Sequence, residues 1–297
     1  MKYDSIFNDK YFQGKRFLVT GGSSGIGRCI AHELCALNAD VTITGRNEEK
    51  LERVTSELRE GGGQADYHIM DIRDEGRVVD VIGQILETNR TLDGLVNCAG
   101  GQFTALLEEL SSNAFGAVVR NNLFGTFHVM REVFKQTMKA NGGAIVTISM
   151  DSVGGAPLMG HSGAARAGMD NMTKTAAVEW ARYGVRTNNV AVGYVESSGL
   201  DHYDDPRMHD AITKIPQRTP IGRMGTEAEV SALVCFLLSP AAAYITGQVL
   251  QADGGFSLNK DSHMLSLETP ERYEIFHGFR ELEHTDTYAL SWQKRDA

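Results

Sequence analysis

Short apolar runs rich in β-branched residues recur along this chain between stretches of helical periodicity. The runs are RFLVT (16–20), DVTIT (40–44), YHIMD (67–71), GLVNCA (94–99), AIVTIS (144–149), RTNNVAV (186–192) and QVLQAD (248–253). Amphipathic stretches such as Arg28–Leu37 and Met169–Arg182 lie between them. Strands that are apolar throughout are buried on both faces, so the alternation predicts a parallel sheet covered by helices on either side. No linker, repeat or low-complexity tract interrupts the pattern. One doubly wound domain therefore fits better than two, although the 297 residues allow either.

Composition agrees with a large buried core: 42% of residues are apolar and 23% charged. The formal charge of −9, from 29 basic and 38 acidic residues, argues against a general nucleic-acid binder. Four scattered cysteines, Cys29, Cys35, Cys98 and Cys235, form no CxxC pair and read as buried thiols in a reducing compartment. The polar N-terminus lacks a secretory h-region, no apolar run is long enough to span a bilayer, and the C-terminus carries no peroxisomal address. The expectation is a cytoplasmic protein with no membrane and no nucleic-acid partner.

The first strand runs directly into TGGSSGIG (Thr20–Gly27), which opens the first helix. Glycines at this junction let the backbone approach a pyrophosphate, and the helix N-terminus offers free N–H groups to it. Gly21, Ser23, Ser24, Gly25, Ile26 and Gly27 are therefore candidate cofactor contacts. The second strand ends in Gly45–Arg46, where an NAD site would carry a carboxylate. A guanidinium suits the 2′-phosphate of NADPH, with Arg28 as a possible helper. The alternative for Arg46 is a solvated charge at a helix cap.

The TGxxxGxG spacing resembles the short-chain dehydrogenase/reductase family. The likeness continues in Asp71 and Ile72 of MDIRD, in Asn97, Ala99 and Gly100 of NCAG, and in Asn122 of NNLFGTF. It extends to Gly193, Val195 and Ser197 of AVGYVES. The resemblance implies a Rossmann-like α/β fold of about seven parallel strands and a dimer or tetramer of identical subunits. It also implies adenine contacts at Asp71 and Ile72 and nicotinamide-side contacts at Asn97, Ala99, Gly100, Gly193, Val195 and Ser197. It covers residues 14–258, leaving a leader (1–13) and a tail (259–297). In the tail, Thr269, Pro270 and Glu271 read as a helix start. Ile275, Phe279 and Leu282 then form an apolar stripe for packing on the body, a neighbouring subunit or the substrate cleft.

The family's helix after strand 5 carries a Tyr and, four residues on, a Lys. Aligning AVEWA here places Ser162 at the Tyr position and Arg166 at the Lys position, with Ser149 near the usual catalytic Ser. An aliphatic hydroxyl is a far poorer acid than a phenol of pKa about 10, and arginine is no proton shuttle near neutrality. Carbonyl reduction needs the alkoxide protonated as it forms. Reduction of a conjugated thioester C=C instead spreads charge into an enolate that hydrogen-bond donors can hold. HSGAARAG (161–168), GGQF (100–103) and CFLLSPAAAYITGQ (235–248) also resemble peroxisomal trans-2-enoyl-CoA reductases and, beyond them, 2,4-dienoyl-CoA reductases.

The expected activity is therefore NADPH-dependent reduction of an enoyl or dienoyl thioester. The alternatives are a carbonyl/alcohol oxidoreductase with an unusual proton relay, and a degenerate cofactor-binding relative. Candidate catalytic residues are Asn122, Ser149, Asp151, Ser162 and Arg166, with Tyr194 as an outside proton donor. Structural alternatives are a satisfied backbone contact for Asn122, a cap hydroxyl for Ser162 and a plain loop carboxylate for Asp151. His161 reads as structural, because neighbours at i,i+1 on a helix do not face each other. No His, Cys or Glu spacing suggests a metal site.

Overall fold

The computed structural model describes Phe7 and residues 10–89, 91–152, 154–258 and 275–279. Strand β1 (Arg16–Thr20) leads into α1 (Gly25–Ala36), followed by β2 (Asp40–Gly45), α2 (Glu48–Glu60), β3 (Gln64–Ile69), α3 (Glu75–Asn89) and β4 (Gly94–Asn97). Helices α4 (Ser112–Val119), α5 (Gly125–Val133) and α6 (Lys139–Asn141) succeed one another through π-helical turns at Arg120–Phe124 and Phe134–Met138. Then come β5 (Gly143–Met150), α7 (Gly160–Trp180), β6 (Val185–Val192), β7 (Val195–Glu196), α8 (Pro206–Thr213) and α9 (Ile215–Arg218). The described chain continues through β8 (Gly225–Thr226), α10 (Glu227–Leu238) and β9 (Val249–Ala252).

Seven strands form one parallel sheet in the order β3-β2-β1-β4-β5-β6-β9. Alternate residues of β1 serve opposite layers. Phe17 and Val19 pack with Ile30, Leu34 and Val234, whereas Leu18 packs with Val81, Ile82 and Val133. Both faces are thus buried, as the uninterrupted apolar strands require. Strand order reverses between β1 and β4, and a crevice opens beyond their C-terminal ends at such a switch. The polar run in β6 is satisfied internally: Thr173 Oγ1 donates to Asn189 Oδ1 (2.7 Å), and Asn189 Nδ2 donates to Asp170 Oδ1 (2.7 Å). These bonds tie α7 to the sheet and fix the helix that carries Ser162 and Arg166.

Several boundaries differ from expectation. Strand β3 lies earlier than 67–71, because its pairing with β2 runs from Asp40↔Gln64 to Gly45↔Ile69. As an edge strand it keeps polar residues in solvent, which an apolar criterion misses. Strand β4 stops at Asn97, where the chain turns to line the crevice. The short pair β7–β8 was not anticipated.

The tail is not helical across residues 275–279. Gly278 has φ +75°, which breaks a helix, and Thr226 Oγ1 donates to the Phe276 carbonyl (2.6 Å). Phe279 is buried against Cys29 and Ala228. The expected helix start at Thr269 and the stripe position Leu282 lie outside the described residues.

Candidate active site

A cavity of about 1060 Å³ lies beyond the strand ends. Its first section is walled by Gly21, Ser23, Ser24, Gly25, Ile26 and Gly27. Close backbone contact explains the glycines. A Cβ on Gly21 would stand 2.8 Å from Ala99 Cα, and one on Gly27 would stand 2.3 Å from the Gly21 carbonyl oxygen. Ser24, the N-cap of α1, makes no side-chain cap bond, and the first turn holds no acidic residue. The first-turn N–H groups have no intrahelical partner and carry partial positive charge. This cradle fits a dinucleotide pyrophosphate.

Arg46 and Lys50 line the outer end together with Asp71 and Ile72. Hydrogen bonds from Arg73 hold the Asp71 carboxyl below its ordinary value. Arg28 is placed differently from the helper role expected of it. Its Nε donates to Glu57 Oε2 at 2.8 Å, its guanidinium lies 5.3 Å from the Phe279 ring centroid, and it does not line the cavity.

In the middle section the cavity meets Ala99, Gly100, Ser149, Arg166, Gly193, Val195 and Ser197. Asn97 lies just behind the wall, with both amide atoms buried and without a protein partner. Asn122 sits in the π-helical turn; its Oδ1 accepts from Gly101 N (2.9 Å), while its Nδ2 has no partner. Arg166 is half-buried, donates from Nη1 to the Ile148 carbonyl (2.7 Å), and leaves Nε without a partner among the described residues. Buried polar groups are rarely left unsatisfied, so this cluster of open donors fits a polar ligand such as a nicotinamide ribose.

Ser162 is fully buried and does not line the cavity; its Oγ donates to Gln102 Oε1 at 2.5 Å. Gln102 Nε2 in turn donates to the Tyr203 hydroxyl at 2.6 Å, and both Gln102 and Tyr203 line the cavity. Asp151 also lines it and accepts from Gln251 Nε2 (3.2 Å). Tyr194 is present, with burial pushing its phenol upward and its ring edge-on to Phe256. Burial pushes the Cys98 thiol up to about 12, so it is no nucleophile at neutral pH. His161 is buried edge-on against Phe103, with a ring-centroid separation of 4.5 Å, and burial lowers its pKa. The far end is apolar, with Met159, Leu200 and Met208 in one cluster.

Sequence reasoning missed Lys50, the link from Gln102 to Tyr203, and Glu227, whose Oε1 lies 3.7 Å from where a Cβ on Gly25 would stand. Gln102 lay within GGQF, but nothing there pointed to Tyr203, about one hundred residues later and outside any periodic segment. Among the described residues no group of three or more His, Cys, Asp or Glu side chains could hold a metal ion. None of the described helices is long and apolar enough to cross a membrane.

A family model described as Enoyl-(Acyl carrier protein) reductase matches residues 21–257. The chain belongs to the short-chain dehydrogenase/reductase family. Within that family it is similar to a probable 2,4-dienoyl-CoA reductase of Caenorhabditis elegans, 36% identical over 87% of this chain and 86% of the relative. A probable 2,4-dienoyl-CoA reductase of Bacillus subtilis is also 36% identical, over 82% of this chain and 97% of that one. Among solved structures, a citronellol catabolism dehydrogenase of Pseudomonas aeruginosa is 45% identical with a TM-score of 0.77, covering 86% of this chain and all of that one. The protein is thus a short-chain dehydrogenase/reductase with the family's seven-stranded sheet, and its Gly-rich turn sits where the family holds a nicotinamide cofactor.

Proposed function

We propose that this protein is an NADPH-dependent reductase of the C=C bond of an α,β-unsaturated acyl thioester of the enoyl- or dienoyl-CoA type. The supporting observation is a single cavity that joins the anion cradle at Ser24–Gly27 to the apolar chamber of Met159, Leu200 and Met208. A cofactor phosphate end and an acyl chain are thereby accommodated end to end. The similarity to chains named 2,4-dienoyl-CoA reductases supports the same substrate class.

A reduced nicotinamide, when bound, would supply hydride. Arg166 would hold its ribose, with Ala99, Gly100, Gly193, Val195 and Ser197 as the surrounding wall and Asn97 supporting that wall from behind. Asn122 keeps the Gly101 N–H in place and contributes its open amide donor. Ser149 and Asp151 flank the substrate end. Arg46, with Lys50 beside it, faces the 2′-phosphate, while Asp71 and Ile72 flank the adenine. The quaternary reading is a dimer or tetramer of identical subunits, supported by exposed Phe124, Phe127 and Val178 on α5, α7 and the turn before α5. Free cysteines that are largely buried support a reducing, cytoplasmic setting.

Incubation with NADPH and, in turn, crotonyl-CoA, a longer 2-enoyl-CoA, a 2,4-dienoyl-CoA and several ketones tests the activity. Cofactor oxidation with the unsaturated thioesters is expected. Ketone turnover without thioester turnover would overturn the reading in favour of a carbonyl reductase, and tight NADPH binding with no turnover would favour a degenerate relative. Arg46→Ala is expected to weaken NADPH binding about 10-fold, roughly the loss of one exposed charge-assisted contact, while leaving NADH binding unchanged. Equal effects on the two cofactors, measured by fluorescence titration, would remove Arg46 from the 2′-phosphate site.

A further inference from the structure

We propose that Tyr203 is the acid that protonates the substrate, held in place by Gln102 and Ser162. The proposal rests on the thioester-reductase reading above, and it supplies the proton donor that the helix α7 residues do not. Ser162, on α7, spends its hydroxyl hydrogen on Gln102 and stands behind the cavity wall. Tyr203 lies between the turn Leu200–His202 and α8 and lines the cavity. Its position is anchored: the Tyr203 carbonyl accepts from His209 Nε2, and the ring packs with Met159, Leu200 and Met208.

The hydrogen-bond polarity makes this phenol a donor. Ser162 donates to the Gln102 carbonyl, which leaves the Gln102 amide to donate to the phenol oxygen. With its oxygen already accepting, Tyr203 has its own hydrogen available. Among the described residues its acceptor is the Met159 sulfur at 3.8 Å, a weak one that a substrate oxygen or carbanion readily replaces. Burial raises the phenol's pKa and keeps it protonated in the resting site, while the Gln102 hydrogen bond and the Arg166 charge favour the phenolate. A site that holds the acid neutral and then supports its conjugate base is arranged for proton transfer.

The step balances. Hydride from the reduced nicotinamide forms the new C–H bond at the β-carbon. The C=C electron pair moves toward the thioester oxygen to give an enolate. The Tyr203 O–H bond breaks as its proton passes to the α-carbon, and the phenolate is reprotonated by water. The thioester chain is reduced, the nicotinamide is oxidised, and Tyr203 returns to its starting state.

Tyr203→Phe and Gln102→Leu test this in the full-length protein with NADPH and crotonyl-CoA or a longer enoyl-CoA. For Tyr203→Phe, kcat is expected to fall about 100-fold or more, the range of general-acid contributions, with KM and NADPH affinity within threefold of wild type. A spectrophotometric phenol titration, read as wild type minus Tyr203→Phe, gives a readout independent of turnover. In Gln102→Leu that titration should move to higher pH, because the amide that steadies the phenolate is gone. A Tyr203→Phe protein that folds and keeps kcat within threefold of wild type would overturn the proposal and leave the thioester reading intact. So would an unmoved phenol titration in Gln102→Leu, which remains informative if the Phe variant does not fold. Absence of thioester turnover in the wild type overturns both.

Discussion

Gly21→Ala is expected to cost about 3 kcal/mol of stability and to weaken cofactor binding at least 100-fold. Gly21 has φ +69°, a conformation that costs a non-glycine residue roughly 1–2 kcal/mol. The added methyl would also lie 2.8 Å from Ala99 Cα and 2.9 Å from Ala99 N. Both atoms are backbone, so no side chain can rotate away; the turns after β1 and β4 must separate. Those two turns form the inner wall of the cavity, which ties the stability loss to the binding loss. Gly62→Ala is the control. Gly62 has φ +89° with nothing within 4 Å of the new methyl, so it should show only the conformational cost of roughly 1 kcal/mol and normal binding. Urea unfolding and NADPH titration of both variants separate strain from collision, and equal losses in the two would refute the collision.

Glu227→Gln is expected to tighten cofactor binding at pH 8 by about 10-fold and to leave it unchanged at pH 6. Glu227 opens α10, and its Oε1 is buried without a partner, 3.7 Å from where a Cβ on Gly25 would stand. It therefore lies beside the anion cradle. Burial pushes its pKa from 4.5 to about 7, with the Arg28 charge pulling the other way. Among the described residues Cys98 is also in electrostatic contact with it, and burial keeps that thiol neutral across this range. Below pH 7 the carboxyl is neutral and tolerates a bound phosphate; above it, a carboxylate faces the cofactor's own negative charge.

The same shift makes the fold pH-dependent. Between 4.5 and about 7 the folded protein keeps a proton that the unfolded chain releases, so stability falls as pH rises through that window. Roughly 2–3 kcal/mol is lost by pH 8, and Glu227→Gln should abolish that share of the slope. Parallel slopes in urea unfolding at pH 5, 6, 7 and 8 for the two proteins would sink the assignment.

The sheet and the cradle were readable from residues because both depend on short-range patterns. β-branched runs such as Arg16–Thr20 can be buried on both faces only inside a parallel sheet. Glycines between a strand and a helix mark a close backbone approach wherever they occur. The edge strand β3 and the tail were less legible. Gln64–Ile69 is recruited by pairing with β2 and not by its own apolarity. The stripe containing Ile275 and Phe279 suits a helix, yet the Thr226 bond to the Phe276 carbonyl and the turn at Gly278 hold that stretch in another conformation.

Sequence alone determined the layered α/β architecture, the close-packed Gly-rich turn at Thr20–Gly27 and the position of a cation, Arg46, at the end of β2. Each is encoded by residues adjacent in the chain whose propensities act locally. Tertiary structure decided which side chains share the cavity. Arg28 is drawn away to Glu57 and Phe279, and Ser162 is turned onto Gln102. Tyr203 is brought to the cavity, and Glu227 to the side of the Gly-rich turn, from segments far along the chain whose local sequence does not point there. The physical reason is that hydrogen-bond direction and burial depend on what the fold places within about 3 Å, and chain separation says little about that.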